Sequence, residues 1–411
     1  MKHELQVRIL KELMAQVDAG KNVDCGRQYE ASTSAYTDPT LAEDEWQTFF
    51  RNHPQLIGLS GDLPEPGSYF TVDDFGTPVL ATRDNEGVFR AFVNACRHRG
   101  VRVANDQRGT AGRFSCPFHA WTYSNQGDLV AIPQEDQFGL VDKSCNGLLV
   151  LPAVEHNGML WVHPQPDGAI DIDALLGPLA EEMAGFDFGS LEYCGESVID
   201  KNLNWKLAND TFGETYHFQK LHRNTLGQIF YGDNLAYETI GRNHRFVFAS
   251  KAIDLLREQP EEDWVLTDGA NLLYYLFPNI QFNVGTDTVA LIKIYPDAAN
   301  PGRSITKVSH YFSKEMIAMA NSDQSDVKKV TGENVYDGEV AAETVFSLDA
   351  IMEVFDSTIE QEDYAMGETT QRAAESGVLK TLMFGRNEPA LHHYHNTFAE
   401  ALNRPPLKRT A

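Results

Sequence analysis

The chain has 411 residues, which is enough for two domains or for one domain with a large insertion. Its 59 acidic and 34 basic side chains give a formal net charge of −25, so phosphate backbones and anionic lipid surfaces repel it. We therefore expect neither nucleic acid nor a membrane as a partner, and 42% hydrophobic with 23% charged residues is ordinary for a globular protein.

The first 20 residues alternate apolar and charged side chains at helical spacing and contain no continuous apolar core. They are predicted to form an amphipathic helix and not a secretion signal. No apolar stretch of the sequence approaches the length of a membrane span. The 5 cysteines are too few and too scattered for a disulfide framework, which favours a reducing, cytoplasmic location.

Residues 67–163 alternate apolar and polar side chains in short runs, such as SYFTV, VFRAFVNA and GMLWVH. Gly, Asp, Asn or Pro interrupts these runs every ~8–12 residues, which is typical of short strands joined by turns. The pattern predicts a small antiparallel β domain.

The second half of the chain is predicted to combine helices with strands. The segment 204–222 changes to a helical period and is predicted to be one helix. Strands are then predicted at 245–250, 271–284, 288–294 and 304–312. A long helical region is predicted at 337–375, and the basic segment LNRPPLKRTA is expected to be a loose tail. The predicted fold class is therefore α+β.

Two motifs in the β region offer metal ligands, CRHRG from Cys96 and CPFH from Cys116. Each contributes one cysteine and one histidine, which are Cys96 with His98 and Cys116 with His119. Four such ligands suit tetrahedral zinc, but zinc fingers usually keep both cysteines in one half of the motif. The mixed arrangement favours a two-iron cluster in which both histidines hold one iron. Imidazole ligands raise its potential to roughly −150 to +300 mV, against about −400 mV in plant-type ferredoxins.

The segment ETYHFQKLH carries a second set of candidate ligands. On a helix, Glu214 and His217 are three residues apart and share a face. His217 and His222 are five residues apart, about 140° round the axis, so the helix must loosen for both to meet one metal. Two histidines and one distant carboxylate form the facial triad that binds Fe(II) and leaves positions open for O₂.

Both motifs resemble those of one known family. The stretch from CRHRG to CPFHAWTYSNQG is similar to the Rieske motif of ring-hydroxylating oxygenase large, or alpha, subunits. NWKLANDTFGETYHFQKLH is similar to the catalytic-iron motif of the same family. The resemblance implies a [2Fe–2S] cluster held by Cys96, His98, Cys116 and His119.

The resemblance also implies a mononuclear Fe(II) held by His217, His222 and an aspartate on a distant helix. Three acids stand at the matching place, ahead of a glutamine that the family also has. We assign Asp363 as the third ligand, and Glu360 and Glu362 are the alternatives.

The family's architecture implies the domain organisation. A small antiparallel β Rieske domain is expected at 51–165, inserted in a larger catalytic domain with a curved antiparallel sheet flanked by helices. Residues 1–50 are expected to form a helical segment that packs on the catalytic domain, which continues through 166–411.

The resemblance further implies a terminal oxygenase component. Electrons from NAD(P)H would arrive through a partner reductase, a ferredoxin or both, because the sequence has neither a flavin signature nor plant-type ferredoxin spacing. The family implies a homotrimer, sometimes with a small beta subunit, in which the cluster of one subunit serves the iron of the next. The motif match assigns Glu214 as the bridge between them, reaching His119 of the partner subunit.

Two departures from the family pattern concern the substrate. Thr211 stands where the family often has asparagine, and Glu214 stands where aromatic-ring dioxygenases usually have aspartate. Relatives with glutamate there include oxygenases of quaternary ammonium compounds. We favour hydroxylation of an aromatic or other cyclic compound, and oxidation or demethylation of a quaternary amine or methyl ether is the alternative.

Other interpretations of these residues remain open. A zinc-stabilised binding protein without redox activity would use the same cysteines and histidines, and a pure electron carrier would leave the motif at 214–222 unexplained. His392, His393 and His395 are expected to be structural or surface residues of a C-terminal helix. The substrate pocket is predicted to use residues 273–284 and the segment after His222.

Overall fold

The computed structural model of the chain describes residues 1–322 and 347–410. These residues divide into two compact units. The larger unit comprises Met1–Asp44, Leu175–Phe186 and Cys194–Ala411, and the smaller unit comprises Glu45–Ala174 and Asp187–Tyr193. The smaller unit therefore interrupts the chain of the larger one.

The smaller unit is a set of antiparallel sheets. The largest has the strand order Val150–Leu151, Phe89–Val93, Val79–Arg83, Ser68–Val72 and Arg108–Thr110. A second has the order Ala153–His156, Met159–Val162 and Gln55–Leu59, and a third the order Arg113–Ser115, Thr122–Ser124 and Leu129–Ala131. Strands such as Gln55–Leu59 and Met159–Val162 are buried at every position, and Leu80, Phe92 and Tyr123 form a core that also contains Cys96 and Cys116. The predicted small β domain is confirmed.

The larger unit is built on a seven-stranded sheet among its described residues. Its strand order is Glu192–Lys201, Asn300–Phe312, Thr288–Asp297, Ile280–Val284, Ala270–Leu276, Asn243–Ala249 and Ala236–Ile240. A small sheet has the order Thr381–Phe384, Tyr29–Ser32 and Lys408–Arg409. With the helices below, these sheets confirm the predicted α+β class.

Helices of both units follow in chain order. The α-helices are His3–Ala19, Pro39–Glu45, Glu135–Phe138, Ile172–Leu176, Leu179–Met183, Trp205–Asp210, Leu226–Ile229, Ile253–Leu256, Leu266–Gly269, Lys314–Ala320, Leu348–Thr358, Tyr364–Glu375 and Pro389–Ala401. The 3₁₀ turns are Thr33–Tyr36, Ser60–Asp62, Lys143–Cys145, Phe188–Ser190 and Glu261–Asp263, and π-helical turns occur at Trp46–Arg51 and Ile359–Asp363. Among the described helices, none is both long and apolar enough to cross a bilayer.

The prediction of one helix over 204–222 is wrong. The helix begins with the Asn204 side chain accepting a hydrogen bond from the backbone N–H of Lys206, and it ends at Asp210. Gly213 follows, and a Cβ at this position would lie 2.3 Å from the tip of the Leu391 side chain, so a larger residue here would require Leu391 to move. Isolated turns then carry the chain to His222.

The structure corrects three other boundaries. The predicted strand 271–284 is two strands, Ala270–Leu276 and Ile280–Val284, joined by a turn that contains Pro278. The C-terminal tail is not loose throughout, because Lys408–Arg409 pairs with the strand Tyr29–Ser32. The helical region is observed from Leu348 with a π-helical turn inside it, and the part of the prediction at 337–346 lies outside the described residues.

Candidate metal centres

Two loops of the smaller unit carry the Cys and His motifs, and both have the same backbone pattern. The backbone N–H of Cys96 donates to the carbonyl of Val101 at 2.8 Å, and that of Cys116 donates to Trp121 at 2.8 Å. In each loop the fourth residue after the cysteine has a positive φ, 75° at Gly100 and 56° at Ala120. Each chain segment therefore folds tightly back over its own cysteine.

The two cysteines and two histidines of these loops differ in burial. Cys96 and Cys116 are buried, His98 is partly exposed and His119 is exposed. The two imidazole rings lie 4.7 Å apart, and the ring of His98 stacks on Trp121 at 5.2 Å. The two sulfur atoms thus lie inside the unit, and the two imidazoles lie together nearer its surface.

This arrangement fits a two-iron cluster better than a single zinc ion. Tetrahedral ligands about 2.0–2.3 Å from zinc would all lie within about 4 Å of one another. Among the described residues, a group of three or more ligand atoms within 4.8 Å of one another occurs at His217, His222 and Asp363, and the four loop residues form no such group. A cluster spreads its four ligands over two metal ions, so the wider spacing suits it.

Tyr123 also contacts this centre, although it is not part of either Cys and His motif. Its hydroxyl oxygen lies 3.3 Å from Cys96 Sγ and accepts the backbone N–H of Arg97 at 2.9 Å. Burial, and then the hydrogen bond with Cys96, raise the pKa of Tyr123, so its hydroxyl stays protonated and can donate to the sulfur. Hydrogen bonds to ligand sulfurs raise the reduction potential of such a cluster. One indication of this contact is present in the sequence: Tyr123 stands two residues after Trp121, on the strand Thr122–Ser124 that follows the second loop.

The second centre begins with the turns after Asp210. The backbone N–H of Leu221 donates to the carbonyl of His217 at 2.8 Å, and the helix does not continue to His222. His217 and His222 therefore escape the separation of about 140° that a regular helix would give them. Their Nε2 atoms lie 3.1 Å apart. The five-residue spacing required the helix to break between the two histidines, and this break is observed.

Asp363 completes a compact set of three ligand atoms. Its Oδ1 lies 3.1 Å from His222 Nε2 and 3.3 Å from His217 Nε2. Three ligands at right angles and about 2.2 Å from one metal would lie about 3.1 Å apart. The residues therefore fit one first-row metal ion bound on one face, with the opposite face open.

The π-helical turn Ile359–Asp363 separates the three candidate acids into three places. Glu360 lies at the surface, where it pairs with Lys201 at 3.0 Å. Glu362 Oε2 lies 2.7 Å from His222 Nδ1, on the opposite edge of the ring from Asp363. Of the three acids, the geometry places only Asp363 among the Nε2 atoms.

Each histidine of this centre has a carboxylate in contact with its Nδ1 atom. Glu214 Oε1 lies 2.5 Å from His217 Nδ1, and Glu214 Oε2 accepts the backbone N–H of His217 at 3.1 Å. Glu362 holds His222 in the same way and also accepts the hydroxyl of Thr225 at 3.0 Å. Carboxylates at Nδ1 keep the proton there and leave Nε2 free to bind a metal. The position of Glu362 could not be read from the sequence.

The electrostatics of the centre follow from this packing. Burial lowers the pKa of His217, but hydrogen bonds with Asp363 and Glu214 outweigh it and raise the pKa to about 10. Burial raises the pKa of Asp363, but its bonds with His217 and His222 outweigh that effect and lower the pKa below its usual value. In the metal-free protein at neutral pH, His217 is therefore protonated beside an ionised Asp363.

A cavity of about 650 Å³ lies beside the three ligand atoms. Its wall is largely apolar, formed by Phe212, Phe218, Leu226, Ile229, Phe230, Phe246, Phe248, Leu273, Ile292, Ala350, Ile351, Val354, Phe355 and Ile359. Leu273 and Asn283 come from the predicted segment 273–284, and Leu226, Ile229 and Phe230 come from the segment after His222. The wall supplied by helix Leu348–Thr358 was not predicted, although Ile351, Val354 and Phe355 recur at helical spacing and line the cavity together.

The C-terminal histidines do not join either centre. His395 Nε2 lies 3.0 Å from Asp210 Oδ1, and His393 Nδ1 lies 3.0 Å from His244 Nδ1. His392 lies on the same helix, with Nδ1 3.5 Å from Cys25 Sγ. In the described structure these imidazoles connect helix Pro389–Ala401 to its neighbours.

The fold and the two centres define a protein that joins a Rieske-type domain to a domain with a mononuclear metal site. The sequence matches the family of the ring hydroxylating alpha subunit, catalytic domain, over residues 188–404, and the Rieske [2Fe-2S] domain over residues 53–152. The chain belongs to the ring-hydroxylating alpha subunit family. Its Rieske domain holds a [2Fe–2S] cluster, and its catalytic domain binds mononuclear Fe(II).

Relatives of known activity match part of the chain. A glycine betaine monooxygenase oxygenase subunit from Chromohalobacter salexigens is 30% identical over 201 residues, 48% of this chain and 44% of that protein. A benzene 1,2-dioxygenase subunit alpha from Pseudomonas putida is 32% identical over 188 residues, 44% of this chain and 42% of that protein. The matched part thus spans less than half the length of these relatives.

Solved structures share the fold across almost the whole chain. A quaternary ammonium Rieske monooxygenase, CntA, in complex with L-carnitine has a TM-score of 0.72 and 18% identity, covering 92% of this chain and 96% of that one. A naphthalene 1,2-dioxygenase from Rhodococcus sp. bound to indole has a TM-score of 0.69 and 18% identity, covering 98% of each chain.

Metal analysis of three alanine variants tests the ligand assignment. Asp363→Ala should lose the mononuclear iron and keep the cluster absorbance, because the two centres take their ligands from separate segments. Glu362→Ala should weaken iron binding about 10–100-fold without abolishing it, since it orients His222. Glu360→Ala, the matched control, should keep both metals. Iron retained by Asp363→Ala and lost from Glu360→Ala or Glu362→Ala would show that the assignment is wrong.

The raised pKa of His217, about 10, predicts that iron binding depends on pH. Only neutral imidazole binds a metal, so Fe(II) must displace the proton that His217 carries below that pKa. Lowering the pH adds competing protons, and the apparent affinity for Fe(II) should fall about tenfold per pH unit between about pH 8 and 6. Titration of iron-depleted protein, with calorimetry in buffers of different ionisation enthalpy, measures this. A pH-independent affinity without proton release would contradict the prediction.

Proposed function

We propose that the protein is the terminal oxygenase component of a multicomponent Rieske system. It uses O₂ and electrons from NAD(P)H, delivered by a partner reductase or ferredoxin, to hydroxylate an aromatic or other cyclic compound. The observation that carries the proposal is the set of three ligand atoms at the wall of a large apolar cavity. A zinc-stabilised binding protein would need neither that set nor the cavity.

The two sets of candidate ligands are proposed to hold different metal groups. Cys96, His98, Cys116 and His119 are proposed to hold the cluster, and His217, His222 and Asp363 to hold the iron. When bound, the cluster supplies electrons and the iron activates O₂. The residues of the chain fix both imidazoles through Glu214 and Glu362 and surround the open metal face with apolar side chains that exclude water.

The cavity wall favours a neutral substrate. Among its described lining residues there is no lysine or arginine. The carboxylate of a betaine-type substrate would therefore be buried without a cation, which is costly in an apolar surrounding. A neutral ring compound loses no such solvation and gains from burial against this wall.

A quaternary amine is the second candidate substrate, and a methyl ether would use the same centres. Six lining residues are phenylalanines, which are Phe212, Phe218, Phe230, Phe246, Phe248 and Phe355. The faces of such rings can hold a trimethylammonium group by cation–π attraction. The glutamate at position 214, found in oxygenases of quaternary ammonium compounds, also supports this candidate.

We also propose a homotrimer, with or without a small beta subunit, and a reducing, cytoplasmic location. The location is supported by the five cysteines, none of which forms a disulfide. In the trimer, Glu214 would accept a hydrogen bond from His119 of the partner subunit. The side chain of Glu214 is 15% exposed and each of its oxygens has a spare lone pair, so it can bond His217 and a second imidazole together.

Spectroscopy and oxygen consumption test the proposed function. The purified protein should be brown, give the electron paramagnetic resonance signal of a reduced Rieske cluster, and contain additional mononuclear iron. Supplied with a reductase, it should consume O₂ faster in the presence of neutral aromatic or alicyclic compounds. Bound zinc without an iron–sulfur signal would exclude the oxygenase, and stimulation by betaines alone would favour the second candidate.

Glu214→Gln tests the bridge. The amide keeps the size of the side chain but removes the charge that holds two imidazole N–H groups. The variant should retain both metals and a reducible cluster, yet lose most turnover. Single-turnover kinetics from the reduced protein isolate the step, because no partner reductase is then involved.

The matched control is Glu360→Gln, the same change at a surface acid of the same unit. It should reoxidise its cluster at the wild-type rate in the presence of substrate and O₂. Equally fast reoxidation in Glu214→Gln would exclude the bridge and leave the iron ligands unaffected.

A further inference from the structure

The helix Leu348–Thr358 forms one wall of the cavity beside the three ligand atoms. Four of its apolar side chains line that cavity, which are Ala350, Ile351, Val354 and Phe355. Within this helix only Thr358 is buried, whereas eight residues of the helix Pro389–Ala401 are buried. A helix of 11 residues is marginally stable alone, because packing supplies most of the stability of helices in proteins. The wall is therefore held less firmly than the helix Pro389–Ala401.

Within the part of the chain that the structure describes, one side-chain hydrogen bond ties this helix to the sheet. His310 Nε2 lies 2.9 Å from Asp356 Oδ1, and Nε2 is the donor because a carboxylate accepts. The imidazole also meets the ring of Phe355 edge-on, with 5.7 Å between the ring centroids. His310 is 4% exposed, so water competes little for its ring. Two successive residues of the helix thus contact one buried imidazole.

The sheet register places His310 on the side of the sheet that faces the cavity. It pairs with Ala290, and Ala290 pairs with Asn283, which lines the cavity. Directly paired residues on neighbouring strands point to the same face of a sheet. The bond between His310 and Asp356 therefore joins two walls of the cavity, the sheet and the helix.

We propose that the helix Leu348–Thr358 is a movable wall through which the substrate enters and leaves the cavity, and that His310 is a positioning residue that holds it closed through Asp356. The inference rests on the proposed function, because it takes the cavity as the substrate site. The flexible Met352, whose Sδ would lie 3.5 Å from a Cβ on Gly195, can adapt to a shift of the helix. The directional bond of His310 cannot adapt, so it decides how often the wall opens.

Hydrogen exchange of the holoenzyme tests the wall without any ligand. In His310→Leu the amides of the helix Leu348–Thr358 should exchange about tenfold faster than in the wild type, as expected for the loss of one hydrogen bond to a carboxylate. His310→Gln should exchange at close to the wild-type rate, since its side-chain N–H can replace Nε2–H. A role in packing alone would favour leucine over glutamine. Amides of the helix Pro389–Ala401 should be unchanged in both variants.

Asp356→Ser removes the same bond from the helix side, where the carboxylate is 17% exposed and its loss disturbs the sheet least. Serine has a helix propensity similar to that of aspartate, so faster exchange in this variant reports the lost bond. Glu353→Gln, a change at an exposed acid of the same helix, is the control and should exchange like the wild type. Wild-type exchange of the helix in both His310→Leu and Asp356→Ser would overturn the proposal.

Stopped-flow binding of naphthalene to the anaerobic holoenzyme tests passage through the wall. Naphthalene suits this purpose because apolar cavities bind small apolar molecules. If the helix must open for passage, a weaker tie speeds entry and exit equally, so both rate constants should rise about tenfold in His310→Leu while Kd stays unchanged. A residue that only shapes the cavity would change Kd, mainly through the exit rate. Unchanged rates, or a rise in the exit rate alone, would contradict the movable wall.

Measurements without O₂ keep this test apart from that of the proposed function. O₂ consumption with wild-type exchange of the helix in the His310 and Asp356 variants would overturn the movable wall and leave the oxygenase intact. Faster exchange and faster passage of naphthalene in His310→Leu would support the wall even in a protein that consumes no O₂ with any compound.

Discussion

The convergence of His217 Nε2, His222 Nε2 and Asp363 Oδ1 within 3.3 Å is the constraint on which the catalytic unit depends. Three electron-rich atoms so close together in an apolar surrounding need a cation between them. In the metal-free protein a proton on His217 takes that place, because hydrogen bonds with Asp363 and Glu214 outweigh the effect of burial and raise the pKa of His217. A metal ion replaces the proton, so folding of this region, protonation and metal binding are one linked equilibrium.

Both segments that supply the ligands depart from a regular helix, and each departure has a local cause. Gly213 allows the chain to leave the helix Trp205–Asp210 where a side chain would strike Leu391. The π-helical turn at Ile359–Asp363 places two successive residues, Glu362 and Asp363, against opposite edges of the ring of His222. Such turns are frequent at functional sites because they redirect side chains without ending the helix.

The sequence predicted which candidate ligands lie close together better than it predicted the backbone that carries them. Motif spacing singles out His217 and His222, and the structure brings them together with Asp363. Apolar periodicity, however, led to the wrong prediction that one helix continues through both histidines. Periodicity indicates which side of a segment is buried, but it does not indicate where the helical backbone hydrogen bonds end. The turn at Pro278 could have been predicted, because proline disfavours the interior of a central strand. The pairing of Lys408 with Glu30 could not, because it joins distant parts of the chain.

The apolar cavity and the ordered metal centre have one physical origin. Side chains such as Phe218 and Ile359 exclude water from the open face of the ligand set, which strengthens the hydrogen bonds of Glu214 and Glu362 to their histidines. The same low polarity makes a charged group expensive to bury in the cavity. The wall that steadies the imidazoles therefore also favours a neutral occupant over a charged one.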